Sequence, residues 1–355
     1  MRIALLTIWH VGNYGAELQA YATCRILTDL GHDVTIIDFR ENESQNESFK
    51  SKLARCISSC TLFHFKFSTF WKKYFPNKTR HYHSYEELKA NPPEADLYLV
   101  GSDQVWNYKI TAEKAEAFFL AFGTDEVKRA SYASSFGMGE WNANEQLTSV
   151  ARQMLNKFTA VSCREASGVR ILKEKFNIEA VEVLDPTLLF DEYFGMDCQN
   201  ASEDGTLAYY PLSDNNELTK FSTELAHELG LYPNNINRKV HLTNTIAWNR
   251  PSVEQWVKGI ARASLIVTPS FHGLAFSLLF RKQFIIVNNN INQERKVRMT
   301  DLLDKLGLAD RYFDSIERAK AIKIWEQTID YDTVSHKLLE LRSASIDYLN
   351  KMLQL

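Results

Sequence analysis

An alternation of short apolar runs with helical stretches constrains the fold more than any other feature of this sequence. The first forty residues contain an apolar run at 3–8, a glycine-containing loop, a helical stretch at 17–30 and a second apolar run at 34–39. Strand, loop, helix and strand in that order predict a βαβ unit with parallel strands. Further strand-like segments follow, and each runs into small or polar residues, as at the ligand-binding edge of an open α/β sheet.

The same alternation starts again after Asp185-Pro186, so the sequence predicts two domains. We place an N-terminal α/β domain at 1–185, a C-terminal α/β domain at 186–330 and a terminal helix, packing back on the N-terminal domain, at 331–355. A chain of 355 residues is long enough for two hydrophobic cores. The predicted fold class is α/β, with two Rossmann-like domains that face a central cleft with their carboxyl strand ends.

Charge, cysteine content and hydropathy exclude several classes of protein. The net charge is -3, from 41 basic and 44 acidic residues, which gives no general attraction to nucleic acid. Five cysteines without a CxxC pair favour neither a disulfide framework nor a zinc site. No apolar run approaches the length of about 18 residues that a membrane span needs. We therefore expect a cytoplasmic protein that binds no metal.

Six segments, in order along most of the chain, resemble the polysaccharide pyruvyl transferase family. They lie at 13–22, 101–107, 131–137, 161–165, 184–188 and 270–277. The resemblance implies a fold like that of GT-B glycosyltransferases. It also implies transfer of the pyruvyl group of phosphoenolpyruvate to a sugar, as a cyclic ketal, in capsular or other surface polysaccharide synthesis. The acceptor would be a lipid-linked or nucleotide-linked saccharide, and no cofactor is implied beyond phosphoenolpyruvate as donor.

The loop at 269–273 carries the candidate catalytic residue, His272. It lies between a predicted buried strand and a helix, where a general acid or base would face the cleft, and Gly273 lets backbone approach closely. The helix N-terminus favours an anion, and Ser270 is a weaker candidate for binding acceptor or phosphate. A histidine in such a loop is more often structural, so the catalytic role rests on the resemblance. Relatives carry Asp where this chain has Pro269, which leaves the partner of the histidine open.

Arg164 is the first candidate for holding phosphoenolpyruvate. It follows a short apolar strand, so its guanidinium is expected to emerge at the strand end and to bind a carboxylate or phosphate in bidentate fashion. The resemblance supports this role, while the alternative is an ion pair with Glu165 or a contact between domains. Asp103 follows another predicted strand. It accepts a hydrogen bond from a sugar hydroxyl, holds Arg164 in place or caps the following segment.

A second set of basic residues follows the predicted strand at 284–287. The resemblance points to a basic residue that holds phosphoenolpyruvate at about this place. Arg298 is the best match and Lys296 is the reserve choice. Arg281 and Lys282, which precede the strand, are expected in a solvated turn.

The first loop is a weaker candidate for binding the acceptor or a phosphate. Asn13, Tyr14 and Gly15 form the entry to the first predicted helix, where backbone N–H groups can meet a phosphate or a sugar hydroxyl. The loop lacks the GxGxxG fingerprint of dinucleotide-binding proteins, which argues against a nicotinamide enzyme. Four aromatic residues are either platforms for a sugar ring or part of the core: Trp9, Tyr14, Trp106 and Trp248.

A basic, aromatic-rich insertion of the N-terminal domain is predicted at 48–83. This segment contains no acidic residue and eight cations, with aromatic residues between them. The pattern is compatible with peripheral contact with anionic lipid at the inner face of the cell membrane, which the resemblance favours, or with stacking on single-stranded nucleic acid. The third interpretation is an ordinary helical insert whose aromatic residues are core and whose cations are solvated.

Two other functions stay open on the sequence alone, because one fold hosts several chemistries. A nucleotide-sugar glycosyltransferase of the same fold would bind a nucleotide and would not consume phosphoenolpyruvate. A non-catalytic relative that binds glycan would tolerate the loss of His272.

Overall fold

The computed structural model describes most of the chain. The described residues are 1–40, 62–212, 215–237, 250–288 and 293–354. Of 62–64 and 293–295 only the helical backbone is described. Three cations of the predicted insertion and one stacking candidate lie outside these ranges: Lys50, Lys52, Arg55 and Trp248.

The chain divides into two compact units, with one division between residues 189 and 190. Two further segments belong to a unit whose other residues are distant from them in the chain. Residues 62–70, from the predicted insertion, belong to the second unit, and residues 340–354 of the terminal helix belong to the first. Each unit is therefore built from pieces that are distant in the chain. The prediction placed the terminal helix with the N-terminal domain, but it did not place part of the insertion in the second unit.

A parallel five-stranded sheet forms the centre of the first unit. Its strands are β1 (Arg2–Leu6), β2 (Asp33–Phe39), β3 (Lys78–Tyr82), β4 (Leu97–Val100) and β5 (Lys128–Ser131). They lie in the order β3-β2-β1-β4-β5, and every pair is parallel. Both faces are covered, since Leu6 and Val100 belong to one core cluster and Leu5 and Leu99 to the other. Isolated parallel bridges extend the sheet towards the short pair β6 (Ser162–Cys163) and β7 (Val181–Glu182).

The predicted helix after the first strand is the longest of those lying wholly in the described part of the first unit. This helix, α1 (Tyr14–Asp29), begins where the Asn13 side chain accepts hydrogen bonds from the backbone of the first turn. It ends before Gly31, whose positive φ of 85° lets the chain turn into β2. The other helices introduced here are α2 (Leu62–Tyr74), α3 (Tyr85–Ala90), α4 (Tyr108–Thr111), α5 (Ala115–Phe118), α6 (Glu145–Leu155) and α7 (Ala166–Ile171).

A second parallel five-stranded sheet forms the centre of the second unit. A short antiparallel hairpin of β8 (Glu192–Tyr193) and β9 (Met196–Asp197) precedes it. The sheet contains β10 (Thr206–Tyr209), β11 (Tyr232–Asn235), β12 (Leu265–Thr268), β13 (Gln283–Val287) and β14 (Tyr312–Phe313), in the order β11-β10-β12-β13-β14. Its helices are α8 (Asn216–Glu228), α9 (Val253–Arg262), α10 (Phe271–Leu279), α11 (Gln293–Leu306) and α12 (Ile316–Ile322), and α13 (Tyr331–Gln354) ends the chain.

The order of strands reverses once in each sheet. In the first unit the reversal lies between β1 and β4, and in the second it lies between β10 and β12. Ligands of open parallel sheets bind at the carboxyl ends of the strands beside such a reversal. In the second unit this place is formed by Tyr210 and by the loop that carries His272.

The described part of the basic insertion buries most of its aromatic residues. Phe67, Phe70 and Trp71 lie in the interior, whereas Phe65 is 65% exposed. Lys72 and Lys73 are exposed. For Phe67, Phe70 and Trp71 the core interpretation holds, because their side chains are buried. No helix of the described residues is long and apolar enough to cross a membrane.

Candidate functional site

The carboxyl ends of β10 and β12 are joined by hydrogen bonds of Thr268. The Thr268 hydroxyl donates to the carbonyl oxygen of Tyr210 at 3.0 Å and accepts from the Ser270 N–H at 3.1 Å. The Ser270 hydroxyl in turn caps α10 by accepting from the Gly273 N–H at 3.3 Å. The loop before α10 is therefore held rigidly at the reversal of strand order.

His272 lies in the first turn of α10 and is buried, with 7% of its surface exposed. Its ring packs edge-on against Phe271, with 5.3 Å between the ring centroids. A Cβ atom at Gly273 would lie 2.6 Å from the Cγ2 atom of Thr268, so only glycine permits this packing of the helix on the strand end. The turn that carries His272 thus has little freedom to move relative to β12.

Arg298 is brought to the same place from α11. It is buried, and its guanidinium carbon lies 6.0 Å from the ring centroid of Phe271, the neighbour of His272. Lys296 is exposed, and its Nζ atom lies 5.8 Å from the ring of Tyr312 at the edge strand β14. Of the two predicted basic residues, the structure places Arg298 beside the His272 turn.

The prediction of a solvated turn at Arg281 and Lys282 is wrong for the lysine. Lys282 is buried, its Nζ atom donates to the carbonyl oxygen of Ala201 at 3.3 Å, and Glu203 lies 3.6 Å away. Burial lowers the pKa of this amine. Arg281 pairs with the exposed Asp332 at 2.8 Å. The sequence shows only two adjacent cations and not the loop that covers one of them.

Arg164 does not emerge at a strand end, and that prediction is wrong. Only 2% of its side chain is exposed. Its Nη1 atom donates to Asp185 at 2.7 Å, while carboxylate oxygens of Asp103 and Glu165 lie 3.7 and 3.8 Å from Nη2 and Nε. Burial alone would lower the pKa of the guanidinium, but these three carboxylates raise it above its ordinary value.

Two of the carboxylates around Arg164 are themselves held by several donors. Asp185 accepts from the hydroxyls of Ser102 and Thr187, at 2.9 and 2.7 Å. Glu165 accepts from the Ser135 hydroxyl at 2.8 Å and from two backbone N–H groups. Three carboxylates around one guanidinium leave an excess of negative charge, which disfavours the binding of an anionic ligand such as phosphoenolpyruvate. The geometry supports the alternative interpretation, an ion pair, and for Asp103 it supports the role of holding Arg164.

The first loop does not offer the backbone donors that the sequence predicted. The side chain of Asn13 accepts from the Gly15 N–H at 2.9 Å and from the next N–H at 3.3 Å. Tyr14 and Gly15 are buried in the first turn of α1. The protein itself therefore satisfies these donors, and the predicted contact of Asn13, Tyr14 and Gly15 with a phosphate is not supported.

A glutamate that sequence reasoning did not single out as a functional group organises this loop. The Glu17 carboxylate accepts from the N–H groups of Val11 and Gly12, at 3.1 and 3.2 Å, and from that of His10 at 3.2 Å. The indole of Trp71 donates to it at 2.8 Å. A carboxylate in the first helical turn, after a loop with glycines, was the available signal. Glu17 occupies the position in which a bound phosphate would accept these same hydrogen bonds.

The burial of the Glu17 carboxylate predicts a specific dependence of folding stability on pH. Burial raises its pKa from 4.5 to about 7, although the four donors oppose this rise. The folded chain therefore holds the proton more tightly than the unfolded chain, and the stability that Glu17 contributes is lost as the pH rises from 4.5 through 7, by about 3 kcal/mol in total. Urea unfolding between pH 4.5 and 8 should show this loss in the parent relative to Glu17→Gln.

A matched variant controls for the loss of charge in that experiment. Glu145 also lies in the first turn of a helix, but it is exposed. Glu145→Gln should leave the parent's pH profile unchanged. Parallel pH profiles of the parent and Glu17→Gln would show that burial does not control the ionisation of Glu17.

The described stacking candidates belong to the core. Trp9, Tyr14 and Trp106 are each at most 4% exposed. The two indoles donate to the carbonyl oxygens of Ile37 and Phe118, both at 3.0 Å. Their rings are therefore closed to a sugar.

Comparison with solved structures shows the fold. The chain is similar to a UDP co-structure of S. aureus MnaA, with 9% identity and a TM-score of 0.51 over 100% of this chain and 98% of that one. It is also similar to a UDP-N-acetylglucosamine 2-epimerase, with 11% identity and a TM-score of 0.54 over 99% and 95%. These two likenesses confirm the predicted GT-B-like α/β class with two parallel sheets.

Comparison of sequences is more specific about the family. No curated protein matches this chain. The family model described as polysaccharide pyruvyl transferase matches residues 13–291, which include the His272 loop and most of both sheets. Because that match covers well over half of the sequence, the chain belongs to the polysaccharide pyruvyl transferase family.

Proposed function

We propose that this protein transfers the pyruvyl group of phosphoenolpyruvate to a saccharide as a cyclic ketal. The observation that carries the proposal is the position of His272. It lies in the first turn of α10, at the reversal of strand order in the second sheet. The buried guanidinium of Arg298 lies over the ring of Phe271, the neighbour of His272. Helix N-termini favour anions, and arginine binds carboxylates and phosphates in bidentate fashion.

The chemistry requires one proton donor and a cationic environment for the donor substrate. One sugar hydroxyl adds to C2 of phosphoenolpyruvate and gives its proton to a base, while C3 takes a proton from an acid and becomes a methyl group. The second hydroxyl then adds to C2 as phosphate leaves, and its proton goes to the phosphate or to a base. His272 is the group that we assign to proton transfer, and its rigid turn keeps the ring in one position.

Arg298 is assigned to the carboxylate or phosphate of the donor. Lys296 is exposed on the same helix and stays the reserve choice. The Ser270 hydroxyl already caps the helix, so we assign it to holding the loop. Arg164 is assigned to the buried ion-pair network of the first unit.

Binding of phosphoenolpyruvate tests the proposal directly. Calorimetric titration should show saturable binding to the parent and affinity at least about tenfold lower in Arg298→Gln, since a hydrogen bond to a charged group contributes about 1.5 to 3 kcal/mol. Arg318→Gln is the matched control, because Arg318 is an exposed arginine of the same unit that pairs with Asp314. Parallel titration with UDP separates the alternatives.

Three outcomes are distinguishable in that titration. Binding of phosphoenolpyruvate that depends on Arg298 supports pyruvyl transfer. Binding of UDP without phosphoenolpyruvate contradicts it and favours a nucleotide-sugar glycosyltransferase. Binding of phosphoenolpyruvate that Arg298→Gln and Arg318→Gln weaken equally would remove Arg298 from the donor site.

The acceptor and the cellular location belong to the same proposal. A lipid-linked or nucleotide-linked saccharide is the proposed acceptor, and a cytoplasmic position at the inner face of the membrane would give access to either. Phe65, Lys72 and Lys73 are the described residues of the basic insertion that lie on the surface and support contact with anionic lipid.

A further inference from the structure

A second cluster of charged side chains lies at the carboxyl edge of the first sheet, and Asp38 is its centre. Asp38 is buried near the end of β2. One of its carboxylate oxygens accepts from Arg40 Nε at 2.5 Å and from His81 Nδ1 at 3.1 Å. The other accepts from Arg40 Nη2 at 2.8 Å and lies 3.5 Å from the Nζ atom of Lys78. A single carboxylate thus orients an arginine, a histidine and a lysine.

Arg40 is braced on its other side by His10, which follows β1. Its Nη1 atom lies 3.1 and 3.3 Å from the two ring nitrogens of His10. The His10 ring is stacked on Trp71, with 3.4 Å between centroids. Burial, with Arg40 nearby, lowers the pKa of His10 to about 3, so the ring is neutral at neutral pH. Arg40 is therefore held by partners from the ends of both β1 and β2.

The charges of this cluster favour an anion. Burial alone would raise the pKa of Asp38, but its contacts with Arg40 and His81 lower it, so it is ionised at neutral pH. Against this one negative charge stand the positive charges of Arg40 and Lys78. Solvent reaches 35% of the Arg40 side chain, 47% of Lys78 and 26% of His81, but only 2% of Asp38. A ligand would meet the donors, while the carboxylate that orients them stays covered.

We propose that Arg40 and Lys78 bind the phosphate groups that link the acceptor saccharide to its carrier. The inference rests on the proposed function, and it names the acceptor class as a phosphate-bearing saccharide. Asp38 lies near the carboxyl end of β2, the strand beside β1, and Arg40 follows that strand. An arginine with a lysine is a combination suited to phosphate. His81 donates from Nδ1 to Asp38 and so helps to orient the carboxylate, while Arg40 and Lys78 supply the donors to the ligand.

Pyrophosphate is the probe that tests this site. Calorimetric titration at low salt should give saturable binding to the full-length parent, about tenfold weaker in Arg40→Gln and about threefold or more weaker in Lys78→Gln. Arg80→Gln is the matched control. Arg80 precedes His81 on β3 and carries the same charge as Arg40, but it pairs with Glu87 and not with Asp38. Its replacement should change the affinity less than twofold.

Two results would overturn the inference. One is the absence of saturable pyrophosphate binding to the parent. The other is equal weakening by Arg40→Gln and Arg80→Gln, which would indicate attraction to general surface charge. Lys78→Gln keeps the test valid if Arg40→Gln does not fold, because Lys78 is half exposed. The proposed function is tested separately, since its failure appears as phosphoenolpyruvate binding that is absent or indifferent to Arg298.

The same variants identify the source of the phosphate. UDP represents a nucleotide-linked acceptor, and a short prenyl diphosphate represents a lipid-linked one. One of these ligands should bind the parent more tightly than pyrophosphate and should lose this affinity in Arg40→Gln. That result would identify the carrier and support the site. If Arg40→Gln binds both ligands as tightly as the parent does, the proposed site is contradicted.

Discussion

Replacing Arg164 with methionine is expected to lower the free energy of unfolding by about 3 to 5 kcal/mol. The guanidinium is buried among Asp185, Asp103 and Glu165, of which Asp185 and Glu165 are almost fully buried. Removing the single cation leaves these carboxylates without compensation, and breaking a buried ion pair from one side is costly for this reason. Urea unfolding of the parent and the variant at pH 7 measures the loss.

Two control variants separate the ion-pair network from the loss of a positive charge as such. Arg170 lies a few residues further along the chain and is exposed, so Arg170→Met should cost less than about 1 kcal/mol. Adding Asp185→Asn to Arg164→Met should recover part of the stability, because one uncompensated carboxylate is then neutral. Unchanged stability of Arg164→Met, together with weaker binding of phosphoenolpyruvate, would instead support the role that the sequence suggested.

Much of the fold could be predicted because parallel sheets leave a strong pattern in the sequence. Strands covered on both faces, such as β1 and β4, are continuous short apolar runs, and their alternation with helices specifies the βαβ order. The first helix was expected at 17–30 and lies at 14–29. Its start was missed by one turn because the apolar stripe begins after the cap, whereas the helix begins directly after Asn13.

The candidate site was predictable only where local sequence determines the position of a side chain. His272 follows a strand and opens a helix, so its place at the strand end followed from the order of elements alone. Arg164 also follows a strand, but its exposure depends on Asp185 and Asp103, which are distant in the chain. A strand end therefore predicts where a side chain starts and not what surrounds it.

Glu17 and Asp38 show the same limit of sequence-based prediction, here for residues that the sequence did not single out as functional groups. Each is an acidic residue whose role comes from partners that only the folded chain brings together. Trp71 and the loop at 10–12 meet Glu17, and residues of β3 meet Asp38. The position of Glu17 in the first helical turn is the one local signal, and it does not show that the carboxylate is buried.

Replacing His272 with glutamine is expected to lower turnover by about 10²- to 10⁴-fold while the fold stays intact. Glutamine can fill much of the space of the ring, but it cannot donate and take back a proton at neutral pH. If His272 transfers a proton, kcat falls and the affinity for phosphoenolpyruvate changes little. The measurement is release of inorganic phosphate from phosphoenolpyruvate in the presence of acceptor, together with calorimetric binding of phosphoenolpyruvate.

His227→Gln is the matched control for this substitution, because His227 belongs to the same unit and lies exposed on α8. It should leave both turnover and binding unchanged. A fall in affinity for phosphoenolpyruvate with kcat preserved would make His272 a residue that holds the donor and not one that transfers a proton. Full activity of His272→Gln would exclude both roles, and it would favour a non-catalytic function of the rigid turn at Thr268 and Gly273, whose packing does not depend on the imidazole.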